Sequence, residues 1–276
     1  MKYRLLYNKI TVVALSAMLS LSAVSCGKLD TSKLDGNALT VTETESKAEV
    51  KKTEDSSSKK VAEVKEEEKE QPSYTCSLVC VGDNLIHDNI YNEALKLGGG
   101  DKYDFTQAYE HVTKYIEGTD VAIINQETLV TDSVEPQSYP MFASPTAVGD
   151  KIVDMGFNVV SMSNNHVLDQ GEEGLISSLD YWDTKGIVHY GAYRSQEDAD
   201  TIKTMEVNGI KFAFLGYMEH TNGNYLSGEG AQVIYLDEED KIKAQIEEAD
   251  KMATLLWFHV ITAKRYRTSL TNSRWR

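Results

Sequence analysis

Residues 158–174, N-V-V-S-M-S-N-N-H-V-L-D-Q-G-E-E-G, are the stretch that best predicts the fold of this chain. Val159, Val160 and Met162 form a short apolar run, which predicts a buried strand. Signals for the start of a helix follow at Gly171 and Glu172. The residues between strand and helix that can bind a metal are Asn164, Asn165, His166 and Asp169. A strand that leads through a polar loop into a helix is typical of an α/β sheet, in which ligands bind at the carboxyl ends of the strands.

This polar loop has two interpretations. An amide oxygen, an imidazole and a carboxylate that lie this close in sequence can all bind one divalent cation. An Asn-rich turn that carries a surface histidine would have the same composition. The spacing alone does not separate the two interpretations, so the other strand ends of the chain decide between them.

Two further predicted strands end in polar residues. The strand at residues 74–81 is followed by Gly82 and Asp83, and the strand at 121–124 by Asn125, Gln126 and Glu127. Because the carboxyl ends of parallel strands share one edge of a sheet, we expect Asp83 and Glu127 to lie near the loop that carries His166. Three such strand ends favour a site over coincidence.

Alternating strands and helices predict an α/β fold with a mainly parallel sheet that is covered on both faces. Helices are predicted at residues 88–97, 104–116, 146–155, 172–185 and 236–253. Asn208-Gly209, between apolar runs at 201–207 and 210–218, predicts a β-hairpin. We expect this hairpin to add an antiparallel pair to the same sheet.

The N-terminal region is typical of an exported, anchored protein. Residues 1–25 have a basic start and an apolar stretch, as in a secretory signal peptide. The small residues directly before Cys26 resemble a bacterial lipoprotein processing site, which predicts lipidation of Cys26. Cleavage nearby, with Cys26 incidental, is the alternative. Lipidation would place the protein on the extracellular face of the cell membrane, anchored by lipid.

The rest of the chain divides into a linker, a folded domain and a C-terminal tail. Residues 26–73 are rich in Lys, Glu, Ser and Thr, a composition that predicts a disordered charged linker. Residues 74–254 are the predicted folded domain, and 255–276 form the tail. The formal net charge of −15 argues against nucleic acid as a partner, because a phosphate backbone attracts basic proteins.

The folded region resembles the bacterial CapA-type proteins of poly-γ-glutamate capsule synthesis, whose domain belongs with the calcineurin-like metallophosphoesterases. The landmarks are Val81-Gly-Asp83, Ile124-Asn-Gln-Glu127, Phe142-Ala-Ser-Pro145, Met155-Gly-Phe-Asn158, Ser163-Asn-Asn-His166 with Asp169 and Gly171, and the segment at residues 208–217. The Asn-Asn-His-x-x-Asp-x-Gly element is the specific one. The resemblance implies a metallophosphatase-like layered α/β sandwich with mixed sheets, incomplete at the C-terminus.

The resemblance also implies a site. Its metal ligands would be Asp83, Glu127, Asn165 and His166, supported by Asn125, Asn164 and Asp169. Asp83, Glu127 and His166 would be the catalytic residues of a metal-dependent hydrolase, with a divalent metal ion of open identity. The implied partners are capsule synthase subunits and poly-γ-glutamate. A polymer-assembly subunit without enzymatic activity, using the same site for structure or polymer contact, is the alternative.

Residues 255–276 depart from the resembled family. The family continues with a strand and a His-aromatic-Gly-x-Glu segment, whereas this tail is basic and contains no acidic residue. A shifted reading of the codons for residues 257–275 would permit such a segment. We therefore expect the tail to be out of frame, with the break just before Trp257, and the chain as written to be an inactive fragment. On this interpretation His259 is not the family histidine.

Overall fold

The computed structural model describes residues 11–13, 73–228 and 230–261, and all of them belong to one compact unit of the chain. Cys26, most of the predicted signal peptide and nearly all of the predicted linker lie outside the described residues. Residues 262–276 of the tail lie outside them as well. The predictions for those segments therefore stay predictions.

Strands and helices alternate along the described chain, as predicted. In chain order the strands are β1 Thr11–Val13, β2 Leu78–Asp83, β3 Val121–Asn125, β4 Val159–Ser161, β5 Val188–Tyr190, β6 Ala192–Tyr193, β7 Lys203–Val207, β8 Ile210–Met218, β9 Gln232–Val233 and β10 Leu255–Ile261. The helices are α1 Asp88–Leu97, α2 Thr106–Tyr109, α3 Thr146–Asp154, α4 Gly171–Lys185, α5 Gln196–Asp200 and α6 Glu239–Met252, with a 3-10 helix at Thr113–Tyr115.

The first sheet carries the candidate site. Its strand order is β2-β3-β4-β5, and all three pairings are parallel. Every residue of β3 and β4 is buried, as expected for central strands covered on both faces. The carboxyl ends of β2, β3 and β4 therefore open at one edge of the sheet.

The predicted hairpin forms, but it belongs to a second sheet. Asn208 and Gly209 adopt positive φ angles of 51° and 78° between the antiparallel strands β7 and β8. The order of this sheet is β1-β10-β8-β7, with β10 parallel to β8. The expectation that the hairpin joins the first sheet was wrong. The fold is a layered α/β arrangement with parallel and mixed sheets, which confirms the predicted class.

Helix boundaries follow their sequence signals closely, with one exception. Helix α4 ends at Gly186, which has a φ of 64° as the predicted C-cap. The helix predicted at residues 104–116 is instead split into α2 and the 3-10 helix. The Thr113 hydroxyl donates to the Tyr109 carbonyl at 3.0 Å, and the Val112 amide donates to the same carbonyl at 3.0 Å. These contacts tighten the chain into three-residue turns.

Glycines permit the two sheets to approach each other closely at the end of β5. A Cβ on Gly191 would lie 2.6 Å from the backbone nitrogen of Ser163, and Gly191 has a φ of 93°. A Cβ on Gly216, in β8 of the second sheet, would lie 2.9 Å from the Gly191 Cα. The two sheets therefore meet at a point where side chains would not fit.

The tail contributes one strand to the described structure. β10 pairs along its whole length with β8 from Phe212 to Met218. The out-of-frame origin of residues 255–276 stays a prediction. No helix in the described ranges has the length and apolar character needed to cross a membrane.

Candidate functional site

The ends of three adjacent strands place polar side chains in a row. Asp83 at the end of β2 is in register with Asn125 at the end of β3, and Asn125 with Ser161 at the end of β4. The Asn125 Nδ2 donates to Asp83 Oδ1 at 2.7 Å. This register shows that the three strands end at one edge of the sheet.

Glu127, two residues beyond β3, lies buried between Asp83 and the His166 loop. Its Oε1 is 4.0 Å from the His166 Nε2. Burial and, next, the charge of Asp83 raise the pKa of Glu127 to about 7; His166 opposes this shift, and Asp169 adds the smallest contribution in the raising direction. Glu127 can therefore exchange a proton near neutral pH.

Asp169 orients the His166 ring. Its Oδ2 lies 2.7 Å from the His166 Nδ1 and also accepts from the Phe142 backbone amide at 2.8 Å. An Nδ1–H that donates to this carboxylate leaves the Nε2 lone pair directed toward Glu127. This carboxylate–histidine pair is the arrangement that commonly orients a metal-binding imidazole.

The two asparagines before His166 have different surroundings. Asn164 is buried, with its Nδ2 donating to the Gln126 carbonyl at 2.9 Å and its Oδ1 accepting from the His166 amide at 3.0 Å. Asn165 is only partly buried, and its Nδ2 donates to Asn222 Oδ1 at 3.3 Å. The structure thus places Glu127 4.0 Å from His166 and near enough to Asp83 to feel its charge, whereas Asn165 contacts a different loop.

That loop, residues 219–224, follows β8 and contacts the site through Asn222. Asn222 Nδ2 lies 3.3 Å from Nδ1 and 3.5 Å from Nε2 of His166, so its amide contacts the ring as well as Asn165. The sequence showed a polar cluster after a strand here, but no local signal that it would reach His166.

His259 lies next to the site, although the sequence analysis did not assign it a role there. Its Nδ1 is hydrogen-bonded to the Ser161 Oγ at the end of β4. Burial lowers the pKa of His259 to about 4, although the nearby charge of Asp83 opposes this shift. The only signal that could have found it is the register of β10 in the second sheet, which local patterns do not contain.

A cavity of about 670 Å³ opens beside the site. Residues that line it include Tyr139, Met141, Asn165, His166, His220 and Asn224. Its position lets a ligand reach the outer side of His166.

The donor set suits a divalent cation in two respects. Asn125 Oδ1 is buried without a hydrogen-bond partner, although such an atom usually has one. Two ligand atoms at about 2.1 Å from one ion are about 3.4 Å apart at a tetrahedral angle, so a shift of roughly 0.6 Å would bring Glu127 Oε1 and His166 Nε2 from 4.0 Å into position to share an ion. In the ranges that the structure describes, however, no three His, Cys, Asp or Glu side chains are grouped closely enough to hold a metal ion.

Comparison with known proteins identifies one family. The model of the family described as bacterial capsule synthesis protein PGA_cap matches residues 77–272. This range includes every strand end and loop of the site described above.

Curated relatives are similar over parts of the chain. CapA of Bacillus anthracis, a capsule biosynthesis protein, is 24% identical over 164 residues, 58% of this chain and 38% of the relative. CapA of Bacillus subtilis, a PGA biosynthesis protein, is 27% identical over 104 residues, 37% of this chain and 27% of the relative. An uncharacterized protein of Sinorhizobium fredii, y4sH, is 27% identical over 146 residues, 50% of this chain and 29% of the relative. The chain thus spans about a third of the length of these relatives.

Proposed function

Since the chain belongs to the bacterial capsule synthesis protein family PGA_cap, we propose that it is a lipid-anchored subunit for poly-γ-glutamate capsule or envelope polymer synthesis, with a metal-dependent hydrolase site. The observation that carries the hydrolase proposal is the grouping of Asp83, Glu127 and the Asp169-oriented His166 at one sheet edge. The family match and the similarity to the two CapA proteins support a role in capsule biosynthesis.

Asp83, Glu127 and His166 would hold a divalent cation, with Asn125 Oδ1 as a further oxygen donor. When bound, such a cation supplies Lewis-acid activation of water and of a phosphoryl or acyl oxygen. Asp169, bonded to the His166 Nδ1, would leave Nε2 free to bind the cation, and Asn125 donates to the Asp83 carboxylate and holds it in place. Glu127, whose pKa is raised to about 7 without metal, would have to be ionised to hold the cation, so metal affinity should rise with pH through neutrality.

The hydrolase proposal is tested by metal binding and turnover measured together. The chain is titrated with Mn²⁺ and Zn²⁺, and hydrolysis of a phosphodiester, a phosphomonoester and poly-γ-glutamate is followed. Asp83→Asn and His166→Ala should lose metal affinity and turnover together. His111→Ala, which removes an exposed histidine elsewhere, should change neither. Turnover that survives both site substitutions would overturn the proposal.

One observation favours a second function. Because no three ligand-type side chains of the described residues are grouped as a preformed metal site, the same strand ends suit a non-enzymatic assembly subunit. That subunit would use the site for structure or polymer contact. A folded protein that binds polymer, takes up no metal and hydrolyses none of the three substrates would support it.

The membrane anchor is proposed from the sequence before Cys26. Lipidation there, followed by the charged linker, would hold the domain on the extracellular face of the membrane and near capsule synthase subunits. Mass spectrometry of the membrane fraction should find a mature, acylated N-terminus at Cys26. A released chain that is cut elsewhere and unmodified would refute the anchor.

A further inference from the structure

The cavity beside His166 has one wall formed by the loop that follows β8. Its volume of about 670 Å³ is within the usual range of small-ligand sites. His220, Asn222 and Asn224 of this loop line the cavity together with His166. Because His166 would hold the proposed cation, a ligand in this cavity would lie directly against that ion.

One residue of the loop contacts both histidines of the cavity. The Asn222 backbone amide donates to the His220 Nδ1 at 3.3 Å. The Asn222 side-chain Nδ2 lies 3.3 Å from the Nδ1 and 3.5 Å from the Nε2 of His166. Asn222 therefore links the two imidazoles, and it gives the His220 ring a defined place next to the site.

The contact with Asn222 also determines where the neutral His220 ring carries its hydrogen. A ring nitrogen that accepts from an N–H group has no hydrogen of its own, so the hydrogen of His220 is on Nε2. Within residues 73–228 and 230–261, no group accepts a hydrogen bond from this Nε2. Since the His220 side chain is only partly buried and lines the cavity, its Nε2–H is available to a ligand.

The amide nitrogens on this side of the cavity already have protein neighbours. The Asn165 Nδ2 donates to the Asn222 Oδ1 at 3.3 Å, and the Asn222 Nδ2 contacts the imidazole of the site. The Asn224 Nδ2 lies 3.5 Å from the Asp169 Oδ1. Among these described donors, the His220 Nε2 is therefore the one left entirely to a ligand.

The cavity wall itself carries no charge that would hold or repel an anion. Of the residues that the structure describes, no Lys, Arg, Asp or Glu lines the cavity. The proposed cation would therefore supply the positive charge for an oxyanion bound there. An oxygen of that oxyanion that does not bind the ion still needs a hydrogen-bond donor, because an unpaired, desolvated anionic oxygen is costly. The His220 Nε2–H meets this need from the cavity side.

We propose that His220 is a ligand-binding residue of the hydrolase site, whose Nε2–H donates to an anionic oxygen of a phosphate or carboxylate group held by the cation. The inference rests on the proposed function, because it supplies the donor on the cavity side of the same cation. In a purely structural role, His220 would only accept from the Asn222 amide through Nδ1 and hold the turn. The two roles use different ring nitrogens, so substitutions can separate them.

The test is anion binding by variants that each keep one of the two nitrogen functions. His220→Asn keeps an acceptor near the Nδ1 position without a donor at the Nε2 position, and His220→Gln does the reverse. The full chain is titrated calorimetrically with inorganic phosphate and with acetate, in Mn²⁺ and in EDTA. We expect at least one anion to bind. His220→Asn should weaken that binding by about tenfold, as for a lost hydrogen bond to a charged group, whereas His220→Gln should keep most of the affinity.

A control variant and a folding measurement accompany these titrations. His111→Ala removes an exposed histidine that does not line the cavity, and it should leave anion binding unchanged. Thermal melting of each variant establishes that it is folded. Binding of neither anion, equal affinity in all variants, or a loss in His220→Gln that His220→Asn does not show would each overturn the inference.

Failure of this inference and failure of the proposed function give different results. Because His220 is not among the proposed ligands, its variants should keep the Mn²⁺ affinity of the unsubstituted chain. A chain that binds an anion through His220 but takes up no Mn²⁺ would support the role of His220 and refute the hydrolase. A chain that binds Mn²⁺ and hydrolyses substrate, with equal anion binding in His220→Asn, would refute the role of His220 alone.

Discussion

At the scale of single residues, the site concentrates negative charge that the fold itself does not neutralise. Glu127 lies near Asp83 and Asp169, and its pKa is raised to about 7 by burial and by those two charges. An arrangement that opposes ionisation costs stability, and sites with such costs are commonly functional. This cost can be measured directly.

We predict that Glu127→Gln stabilises the metal-free protein at pH 8 but not at pH 4. The unfolded carboxyl loses its proton near 4.5 and the folded one near 7, so ionisation favours unfolding increasingly across that window. The full shift would correspond to about 3 kcal/mol, and we expect about 1–2 kcal/mol after solvent screening. Urea unfolding in EDTA at both pH values measures it.

The matched control for this prediction is Glu117→Gln, which changes an exposed glutamate outside the site. It should shift stability little at either pH. A Glu127→Gln variant that behaves like the control at pH 8 would mean that neither burial nor the nearby carboxylates oppose the ionisation of Glu127 in solution.

Asn222 should position His166 for metal binding. Its amide contacts the ring and also Asn165, and its φ of 54° means that glycine can replace it without backbone strain. We predict that Asn222→Gly lowers Mn²⁺ or Zn²⁺ affinity by about 10-fold, the usual effect of removing a group that orients a ligand. Asn92→Ala, on the exposed face of α1, is the control. Equal affinities in the two variants would exclude the positioning role.

The site residues differ in how far the sequence could predict them. Asp83, Glu127 and His166 follow apolar runs directly, so the local pattern and the rule that parallel strands share an edge were sufficient. Asn222 and His259 reach the site from the second sheet and its following loop. Their contacts depend on how two sheets pack, which no local pattern encodes.

At the scale of elements, glycine and turn chemistry determined the boundaries that were predicted well. Gly186 ended α4 and Asn208-Gly209 closed the hairpin, because few residues other than Gly and Asn adopt positive φ at low cost. The helix at residues 104–116 was predicted from apolar spacing, yet the Thr113 hydroxyl bond to Tyr109 altered it. Side-chain competition for a backbone carbonyl is not visible in the hydrophobic period.

A pair of glycine substitutions separates backbone strain from close packing at the end of β5. Gly186 has a φ of 64° and open space where a Cβ would lie. We therefore expect Gly186→Ala to lower the free energy of unfolding by about 1 kcal/mol, from backbone strain alone. In Gly191→Ala the new Cβ would also lie 2.6 Å from the Ser163 backbone nitrogen. We therefore expect this variant to lower the free energy of unfolding by about 2–4 kcal/mol. Thermal and urea unfolding of both variants give the comparison. Equal losses would show that the chain at Ser163 can shift to admit a methyl group.

At the scale of the whole molecule, one side of the first sheet is open in the described structure. β2 pairs with β3 on one edge, and Leu78 and Val81 are 39% and 36% exposed. An uncovered strand edge with apolar side chains is a template for association with another chain. The net charge of −15 opposes such association, since like-charged molecules repel.

We predict that Val81→Lys reduces self-association at high salt, where the net charge is screened. Because Val81 is partly exposed, the free energy of unfolding should change by no more than about 0.5–1 kcal/mol. Light scattering and sedimentation of the two proteins at 0.5 M NaCl provide the measurement. Ile123→Lys, which buries a charge in the neighbouring strand β3, should unfold the domain and serves as the contrast.

The hydrogen bond between Ser161 and His259 also bears on the order in which the domain folds. The two residues are 98 positions apart, and His259 belongs to the last described strand, which can pair with β8 only after α6 has formed the crossover between them. Contacts so distant in sequence form late, since a long loop must close first. Asp83, Glu127 and His166 can therefore assemble on the first sheet before His259 arrives. The arrival of His259 at Ser161 requires β10 to pair with β8, so the contact of that imidazole with Ser161 reports whether these two strands have paired.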